Sequence, residues 1–360
     1  MKRIVFLIIS VLIAVGCAAQ SVLRTGRWVQ VAVETDGVYR LPYSKLRSLG
    51  FADPQKVRVF GNHDGMLPFV NNAPRTNDLH ENKVFRSNDA IFFYATGVDI
   101  WARDAEADMI LPRRHLYNRK AFYFLTDNDN GSDNSMQKSA YQSAGQQVTE
   151  GNFWYGHEED LVNLTMSGRN WYGENFFYNN EQQIDFQCNA APKSGKIITS
   201  MICRSSVKNG YTVEWGDGSG AETFEPVTSG GAYADTKQTS FQCKPQSSDK
   251  QSVKITFNKK TSSAECYLDY VVINTIEPLK YNGKQLIFSY NGGGTAVNFA
   301  VANAPNQGFA ALDVTDSNNP IMLDSRTENG SGLFSATPSE SGRYVVLTLT
   351  IRLSRNIWMQ

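Results

Sequence analysis

Short apolar runs, separated by turn residues, recur along the whole chain. Residues 28–41 hold two runs of alternating apolar and polar positions with Asp36 and Gly37 between them, and this pattern predicts a β-hairpin. Residues 44–49, followed by Gly50, predict one short helix. Further runs of strand length lie at 57–60, 90–94, 121–125, 183–188, 196–203, 212–215, 239–243, 252–257, 266–274, 286–290, 296–302, 309–314 and 344–349.

The runs predict an all-β fold with minor α content, built from consecutive β-sandwich-like domains after a signal peptide. A polar stretch rich in Gln and Ser, 135–149, separates the first group of runs from the second. We therefore predict an N-terminal β-rich domain at 22–130, a β-sandwich domain at 150–278 and a small β module at 279–346. Residues 347–360 form an atypical tail, with neither a helix cap nor a turn to close it.

Residues 1–19 have the layout of a secretory signal peptide. A short basic start precedes the apolar run 4–15, and small residues follow it. A run of about a dozen residues is too short to span a bilayer, which needs roughly twenty. We predict cleavage after Ala19, with lipidation at Cys17 as the alternative. The mature chain is then exported, to the periplasm or to a cell-surface or outer-membrane-associated location, and it has no further apolar stretch of transmembrane length.

Charge and composition narrow the possible partners. The chain has 35 basic and 35 acidic residues, and its formal net charge is zero. Such a balance gives no general attraction to nucleic acid, so we expect no nucleic-acid partner. Aromatic residues make up 12% of the chain, a content that indicates an ordered protein rather than a disordered one.

Four cysteines remain after the predicted cleavage: Cys188, Cys203, Cys243 and Cys266. An even number in an oxidising compartment permits disulfides. Three of the four lie in strand-like runs, so buried free thiols are the alternative, and the sequence leaves both open. None has the Cys-x-x-Cys spacing of a metal site or a nearby histidine. We expect no metal and no cofactor.

Motifs for catalysis are missing from the sequence. No histidine pair has the spacing of a zinc hydrolase, and no Gly-x-Ser-x-Gly elbow or phosphate-binding glycine loop occurs. Every histidine precedes every cysteine of the mature chain, which gives no sequence support for a Cys–His pair. We therefore nominate no catalytic residue; the four histidines are His63, His80, His115 and His157.

Two aromatic pairs are candidate binding residues. Trp154 and Tyr155 precede the acidic cluster 157–160, and Trp171 and Tyr172 follow shortly after it. Aromatic rings can stack on sugars, but they also fill the ends of sandwich cores. The acidic cluster is either part of such a site or a solvated loop that enters the second domain. These residues support one alternative function, a stand-alone secreted β-sandwich protein that binds a surface or a glycan.

Eight short phrases in one order carry a resemblance to a known family; they lie at 37–41, 57–62 with 65–68, 78–82, 88–94 with 101, 123–125, 167–174, 267–271 and 312–315. Together they resemble the N-terminal region of the gingipain-like sortases of the type IX secretion system, over roughly residues 22–346.

That family implies a cell-surface cysteine peptidase of Gram-negative bacteria. Such a sortase removes the C-terminal secretion signal from cargo and transfers the cargo to a lipopolysaccharide anchor. Its catalytic Cys and His belong to a caspase-like α/β domain that follows the β-rich region, so no catalytic role is carried over to a residue of this chain. The implied partners are other type IX secretion components and cargo proteins. We expect a non-catalytic segment truncated before the peptidase domain, with a frameshift or a fragmented gene explaining the tail.

Overall fold

The structure, a computed structural model, describes most of the chain. Three sequence predictions concern residues outside the described ones: the cleavage site after Ala19, the lipidation alternative at Cys17, and residues 350–357 and 360 of the tail. The described residues are 21–128, 131–143, 145–164, 166, 168–227 and 232–349, with the backbone alone of 358–359.

Strands dominate the fold and confirm the all-β prediction: 50% of the described residues lie in strands and 4% in helices. The one α-helix among the described residues, α1 (Tyr43–Ser48), matches the predicted helix. Gly50 follows it with a φ of +88°, a left-handed conformation that glycine adopts without strain and that often ends helices. No helix in the described residues is both long enough and apolar enough to cross a membrane.

The first segment, residues 21–128, contributes strands to three small sheets. Strands β1, β9, β3 and β4 belong to a five-stranded sheet, β2, β6 and β5 form a three-stranded sheet, and β7 and β8 form a two-stranded hairpin. Two short 3₁₀ helices lie at Val22–Arg24 and Pro54–Lys56. The strands are β1 Val29–Val33, β2 Gly37–Pro42, β3 Arg58–Phe60, β4 Glu81–Asn82, β5 Val84–Arg86, β6 Ala90–Ala95, β7 Ile100–Asp104, β8 Met109–Arg113 and β9 Ala121–Thr126.

The middle of the chain supplies longer strands, most of them antiparallel to their neighbours. They are β10 Gln137–Ser139, β11 Gln147–Val148, β12 Glu150–His157, β13 Glu181–Gln187, β14 Ser194–Arg204, β15 Asn209–Trp215, β16 Gly218–Phe224, β17 Asp235–Cys243, β18 Lys250–Asn258 and β19 Glu265–Pro278.

The last part of the chain adds eight more strands. The final two-residue strand pairs antiparallel with β1 at the edge of the five-stranded sheet. The strands are β20 Leu286–Tyr290, β21 Val297–Ala302, β22 Phe309–Asp313, β23 Ile321–Leu323, β24 Ser325–Glu328, β25 Ser331–Ala336, β26 Gly342–Thr348 and β27 Trp358–Met359.

A nine-stranded sheet organises the molecule, in the order β10-β23-β22-β26-β20-β12-β19-β14-β17. It takes strands from the predicted domain 150–278 and from the predicted module 279–346, so the two segments share one sheet; the domain division itself stays a prediction. One face of this sheet packs on two separate four-stranded sheets, β13-β18-β15-β16 and β11-β21-β25-β24. The result is two sandwiches side by side on a common layer.

The opposite face of the nine-stranded sheet packs against the first segment. Phe92 and Tyr94 of β6 contact Leu312 of β22 and Val345 of β26 in one core cluster. The alternate residues of β6, such as Phe93, face the core between the sheets of the first segment. Because β6 is covered on both faces, all six of its residues are buried, which explains why its sequence is a continuous apolar run.

A β-bulge adjusts the long strand β19. The register between β14 and β19 shifts at Ser200 and Met201, and Asp269 is the extra residue. A bulge changes which face later residues point to. Leu268 before it and Val271 after it consequently lie in the same core, although they are an odd number of residues apart.

Two buried tyrosines differ in whether their hydroxyl group has a hydrogen-bond partner, and this difference predicts different effects on stability. The hydroxyl of Tyr344 has no hydrogen-bond partner among the described residues, whereas that of Tyr123 accepts from the Thr96 amide at 2.9 Å. We expect Tyr344→Phe to leave the free energy of unfolding unchanged or to raise it. Tyr123→Phe should lower it by roughly 1–3 kcal/mol, since it leaves a buried donor unpaired. Urea unfolding of both variants measures this, and equal losses would contradict it.

Candidate functional site

A cleft of about 690 Å³ lies between the β7–β8 hairpin and the nine-stranded sheet. Its volume is in the range of sites for small ligands or short peptide segments. Strands β12, β14, β19 and β20 form its floor, through residues that include Asn152, Gly195, Asn274 and Ser289. The hairpin tip forms one wall, and the turns before β26 and after β17 form another.

A side-chain amide fixes the hairpin wall in place. The Asn274 Oδ1 accepts from the Ile110 amide at 2.6 Å, and the Asn274 Nδ2 donates to the Ile110 carbonyl at 2.9 Å. The amide of Asn274 thus acts as one more strand residue beside β8. The Lys196 ammonium adds a bond to the Ala107 carbonyl at 2.6 Å. Beneath these bonds, Met109 packs on apolar residues of β14 and β19.

A second side-chain amide, that of Gln285, joins the three-stranded sheet to the nine-stranded one through two backbone hydrogen bonds. Gln285 accepts from the Val38 amide at 2.7 Å and donates to the Val38 carbonyl at 2.8 Å. Two amide side chains, Asn274 and Gln285, therefore dock the first segment onto the rest of the chain.

Arg343 closes the side of the cleft next to the first segment. Its guanidinium lies 4.9 Å from the centre of the Trp154 ring and donates to the Trp101 carbonyl at 2.5 Å. It also lies 3.7 Å from an Asp36 carboxylate oxygen. A half-buried arginine with three partners is held rigidly, and its cation–π contact with Trp154 is strengthened by the partial exclusion of water.

The cleft presents charges of both signs. Arg103 pairs with Asp108 at 2.6 Å on the hairpin. Within the part of the chain that the structure describes, the exposed side chains of Lys244 and Glu340 line the cleft without an ion-pair partner. These two groups can therefore bind a polar ligand without first breaking a contact in the protein.

A second polar group lies at the carboxyl end of β12. The His157 Nε2 lies 2.6 Å from a Glu174 carboxylate oxygen, and this hydrogen bond raises the pKa of His157. Arg114 lies 3.1 Å from carboxylate oxygens of both Glu158 and Asp99. The arrangement binds the predicted acidic cluster 157–160 into the fold.

Burial raises the pKa of Glu158 to about 7, against the opposing effect of Arg114. The carboxylates of Asp269, Asp160 and Asp99 add to the rise by repulsion. Among the described residues no group of three or more His, Cys, Asp and Glu side chains could hold a metal ion.

The aromatic candidates do not form one exposed surface. Trp154 packs under Arg343 with its ring centre 6.5 Å from that of Trp101. Its neighbour Tyr155 points to the other face of β12, where it donates to Glu277 and accepts from the Asn189 amide, both at 2.9 Å. Tyr172 is only 6% exposed and Trp171 is 41% exposed. A binding role for the four residues stays a prediction.

The cysteine environments do not favour a nucleophile. Burial raises the pKa of Cys188 and Cys266, and it raises the pKa of Cys243 to about 12. Reactive cysteines have lowered pKa values and positive surroundings instead. In the described residues no hydrogen bond or ion pair joins a cysteine to a histidine.

The cleft was not predicted from the sequence. Its residues Arg103, Lys196, Asn274 and Arg343 come from distant parts of the chain and have no fixed spacing. One signal was available, since Asn274 is a polar residue at the end of the long apolar run 266–274. A buried polar side chain in such a position needs a partner from elsewhere.

Asn274→Ala should loosen the hairpin wall of the cleft. Loss of its two bonds leaves the Ile110 amide without its partner, so we expect hydrogen exchange at that amide to become roughly tenfold faster. Gln285→Ala is the matched control, because it should affect Val38 and leave Ile110 unchanged. Equal effects of both variants on Ile110 would contradict this account.

Glu158→Gln should change how stability depends on pH. The folded pKa of Glu158 lies above its ordinary value of 4.5. The wild-type chain therefore loses stability as the pH rises from about 5 through 7, when this buried carboxyl must ionise. The variant should be as stable as wild type at pH 5 and more stable at pH 8.5, by on the order of 1–3 kcal/mol.

Thermal unfolding across this pH range measures the effect of Glu158→Gln. The control is Glu159→Gln, which removes the same charge from the exposed neighbouring side chain. An equal stabilisation at pH 5 and pH 8.5 would contradict the assignment to Glu158.

No family model matches this chain, and no curated protein matches it by sequence. Two solved structures share little with this chain, at 10% identity each. The mosquito-larvicidal Cry4Aa toxin from Bacillus thuringiensis has a TM-score of 0.24, over 44% of this chain and 27% of that chain. A structure of Sulfolobus Turreted Icosahedral Virus has a TM-score of 0.22, over 89% and 82%.

The chain is similar to the crystal structure of dimeric latent PorU from Porphyromonas gingivalis, with a TM-score of 0.80 and 22% identity. The match covers 95% of this chain and 33% of that chain. This chain thus spans about a third of the length of the protein it matches. A TM-score of this size over nearly the whole chain shows that the fold is that of a PorU segment.

Proposed function

We propose that this chain is the non-catalytic N-terminal segment of a type IX secretion system sortase similar to PorU. The observation that supports the proposal is the likeness to PorU over 95% of the chain with a TM-score of 0.80. The eight ordered sequence phrases support the same assignment independently of the fold. Since the match covers only 33% of the PorU chain, the proposal leaves room for a separate peptidase domain in a longer protein.

In this proposal, the chemistry of the sortase belongs to that separate domain. The full-length family cleaves C-terminal secretion signals and attaches cargo to the cell surface. The chain described here would hold the peptidase domain in position and contact other secretion components or cargo, after export to the cell surface, outer membrane or periplasm. The raised pKa of the Cys188, Cys243 and Cys266 thiols supports the absence of a nucleophile from this segment.

The fold suits a positioning role because its parts are interlocked. One face of the nine-stranded sheet is covered by two sheets, the first segment covers β22 and β26 on the other face, and amide side chains dock that segment in place. A support of this kind keeps a bound domain in one orientation, which reduces the entropy lost when the reacting groups are brought together. We infer that the cleft is the contact surface, because Lys244 and Glu340 line it and are available to a polar partner.

A reconstitution experiment tests the proposal. The chain without residues 1–19 should show no thiol-dependent cleavage of a peptide that carries a C-terminal secretion signal. It should bind the separately produced peptidase region of a PorU-like sortase in calorimetry and raise its rate of cleavage. Cleavage by the chain alone that thiol alkylation blocks would overturn the non-catalytic assignment, and failure to bind the peptidase region would overturn the positioning role.

Two charge reversals locate the contact. Lys244→Glu changes a lysine of the cleft, and Lys208→Glu changes an exposed lysine outside it. We expect only Lys244→Glu to weaken binding of the peptidase region. Equal weakening by both variants would contradict a contact at the cleft.

The DNA that follows the Gln360 codon gives an independent test. We expect a reading frame for a caspase-like peptidase domain there. A downstream region without such a frame would contradict the proposed link to a peptidase domain.

A further inference from the structure

Cys203 and Cys266 lie directly opposite each other on the adjacent antiparallel strands β14 and β19. Both side chains are buried in the same core, with exposed fractions of 1% and 0%. Burial raises the pKa of Cys266, and the neighbouring Cys203 thiol adds to the rise. The two thiols therefore lie side by side in this core.

The pairing of the two strands gives their backbones a spacing that allows a disulfide. Opposite residues on antiparallel strands have Cα atoms roughly 4.5 or 5.5 Å apart, depending on the type of pair. Disulfides join residues with Cα separations of about 4.4 to 6.8 Å. Either type of pair at Cys203 and Cys266 falls in this range, so the strands need not separate or shift register for the sulfurs to bond.

We propose that Cys203 and Cys266 form a cross-strand disulfide when the chain folds in the presence of a disulfide oxidant. One thiolate attacks a sulfur of the oxidant, such as glutathione disulfide, and releases one glutathione thiolate. The second cysteine then attacks the protein sulfur of this mixed disulfide and releases the other glutathione. The two cysteines lose two protons and two electrons in total, and the oxidant is reduced to two thiols.

The place of the pair in the ladder allows this reaction during folding. Cys203 is the second-last residue of β14, and Cys266 is the second residue of β19. The end of a ladder opens more readily than its centre. Once the core has closed, both thiols are shielded, and burial raises the pKa of Cys266. We therefore expect rapid oxidation during folding and slow oxidation of the folded, reduced chain.

The other two cysteines have different neighbours. Cys188 lies against Glu277 and Tyr155, and Cys243 lies opposite Gly195 on β14. Neither faces another cysteine in the register of the sheets. Four cysteines allow three connectivities, and the geometry points to one bond and two free thiols.

Peptide mapping tests the assignment. The chain without residues 1–19 is refolded from the reduced, unfolded state in a glutathione redox buffer, alkylated and digested with trypsin without reduction. Trypsin should release Cys203 in the peptide 197–204 and Cys266 in the peptide 261–280. We expect these two peptides to be linked in most molecules and to separate on reduction. Alkylation of all four cysteines, or a link that includes Cys188 or Cys243, would overturn the proposal.

Matched cysteine variants show whether the effect of the oxidant on stability comes from the Cys203–Cys266 bond. Cys188→Ala and Cys243→Ala should keep the linked peptides. We expect oxidation to raise the thermal midpoint of the wild-type chain by on the order of 5 °C, because the bond closes a long loop. The oxidant should have no effect on the double variant Cys203→Ala/Cys266→Ala. A rise that persists in that variant would overturn the assignment. If the double variant does not fold, the peptide map of the wild-type chain still decides.

Discussion

The fold depends on the burial of both faces of the nine-stranded sheet around β22 and β26. Strand β26 shows the constraint most directly. Tyr344 and Val346 face the core shared with the sheet β11-β21-β25-β24, and Val345 and Leu347 face the core shared with the three-stranded sheet. Since successive strand residues point to opposite faces, a strand at the centre of three layers must be apolar at nearly every position. The first segment is thus part of the structure that covers this sheet.

This constraint explains which strands could be predicted from the sequence and which could not. Doubly covered strands such as β6 and β26 appear in the sequence as continuous apolar runs, and both were predicted. The helix α1 was predicted as well, because Gly50 marks its end. The edge strands β10 and β11 were not predicted, because they lie in the polar stretch 135–149. They pair in parallel with β23 and β21. Edge pairing needs only backbone groups, so their side chains carry no apolar signal.

The candidate site was harder to predict than the fold for the same physical reason. Hydrophobic periodicity identifies strands one at a time, but it does not say which strands become neighbours. The cleft depends on such neighbours: the amide of Asn274 meets β8 from 164 residues away in the sequence, and Arg343 meets Trp101 from 242 residues away. The aromatic pairs were noticed because they are adjacent in sequence, yet neighbouring strand residues such as Trp154 and Tyr155 point apart.

The shared sheet also limits how this architecture can change in evolution. Strand β12 pairs with β19 on one side and with β20 on the other, so it connects the two sandwiches through backbone hydrogen bonds. A recombination breakpoint between them would also separate Phe153 of β12 from Phe288 of β20, which pack in one core, and would expose that apolar surface. Gene fusion or exchange at that boundary is therefore disfavoured. Variation should accumulate by insertions into the turns, and the set of strands from β12 to β26 should be inherited as one unit.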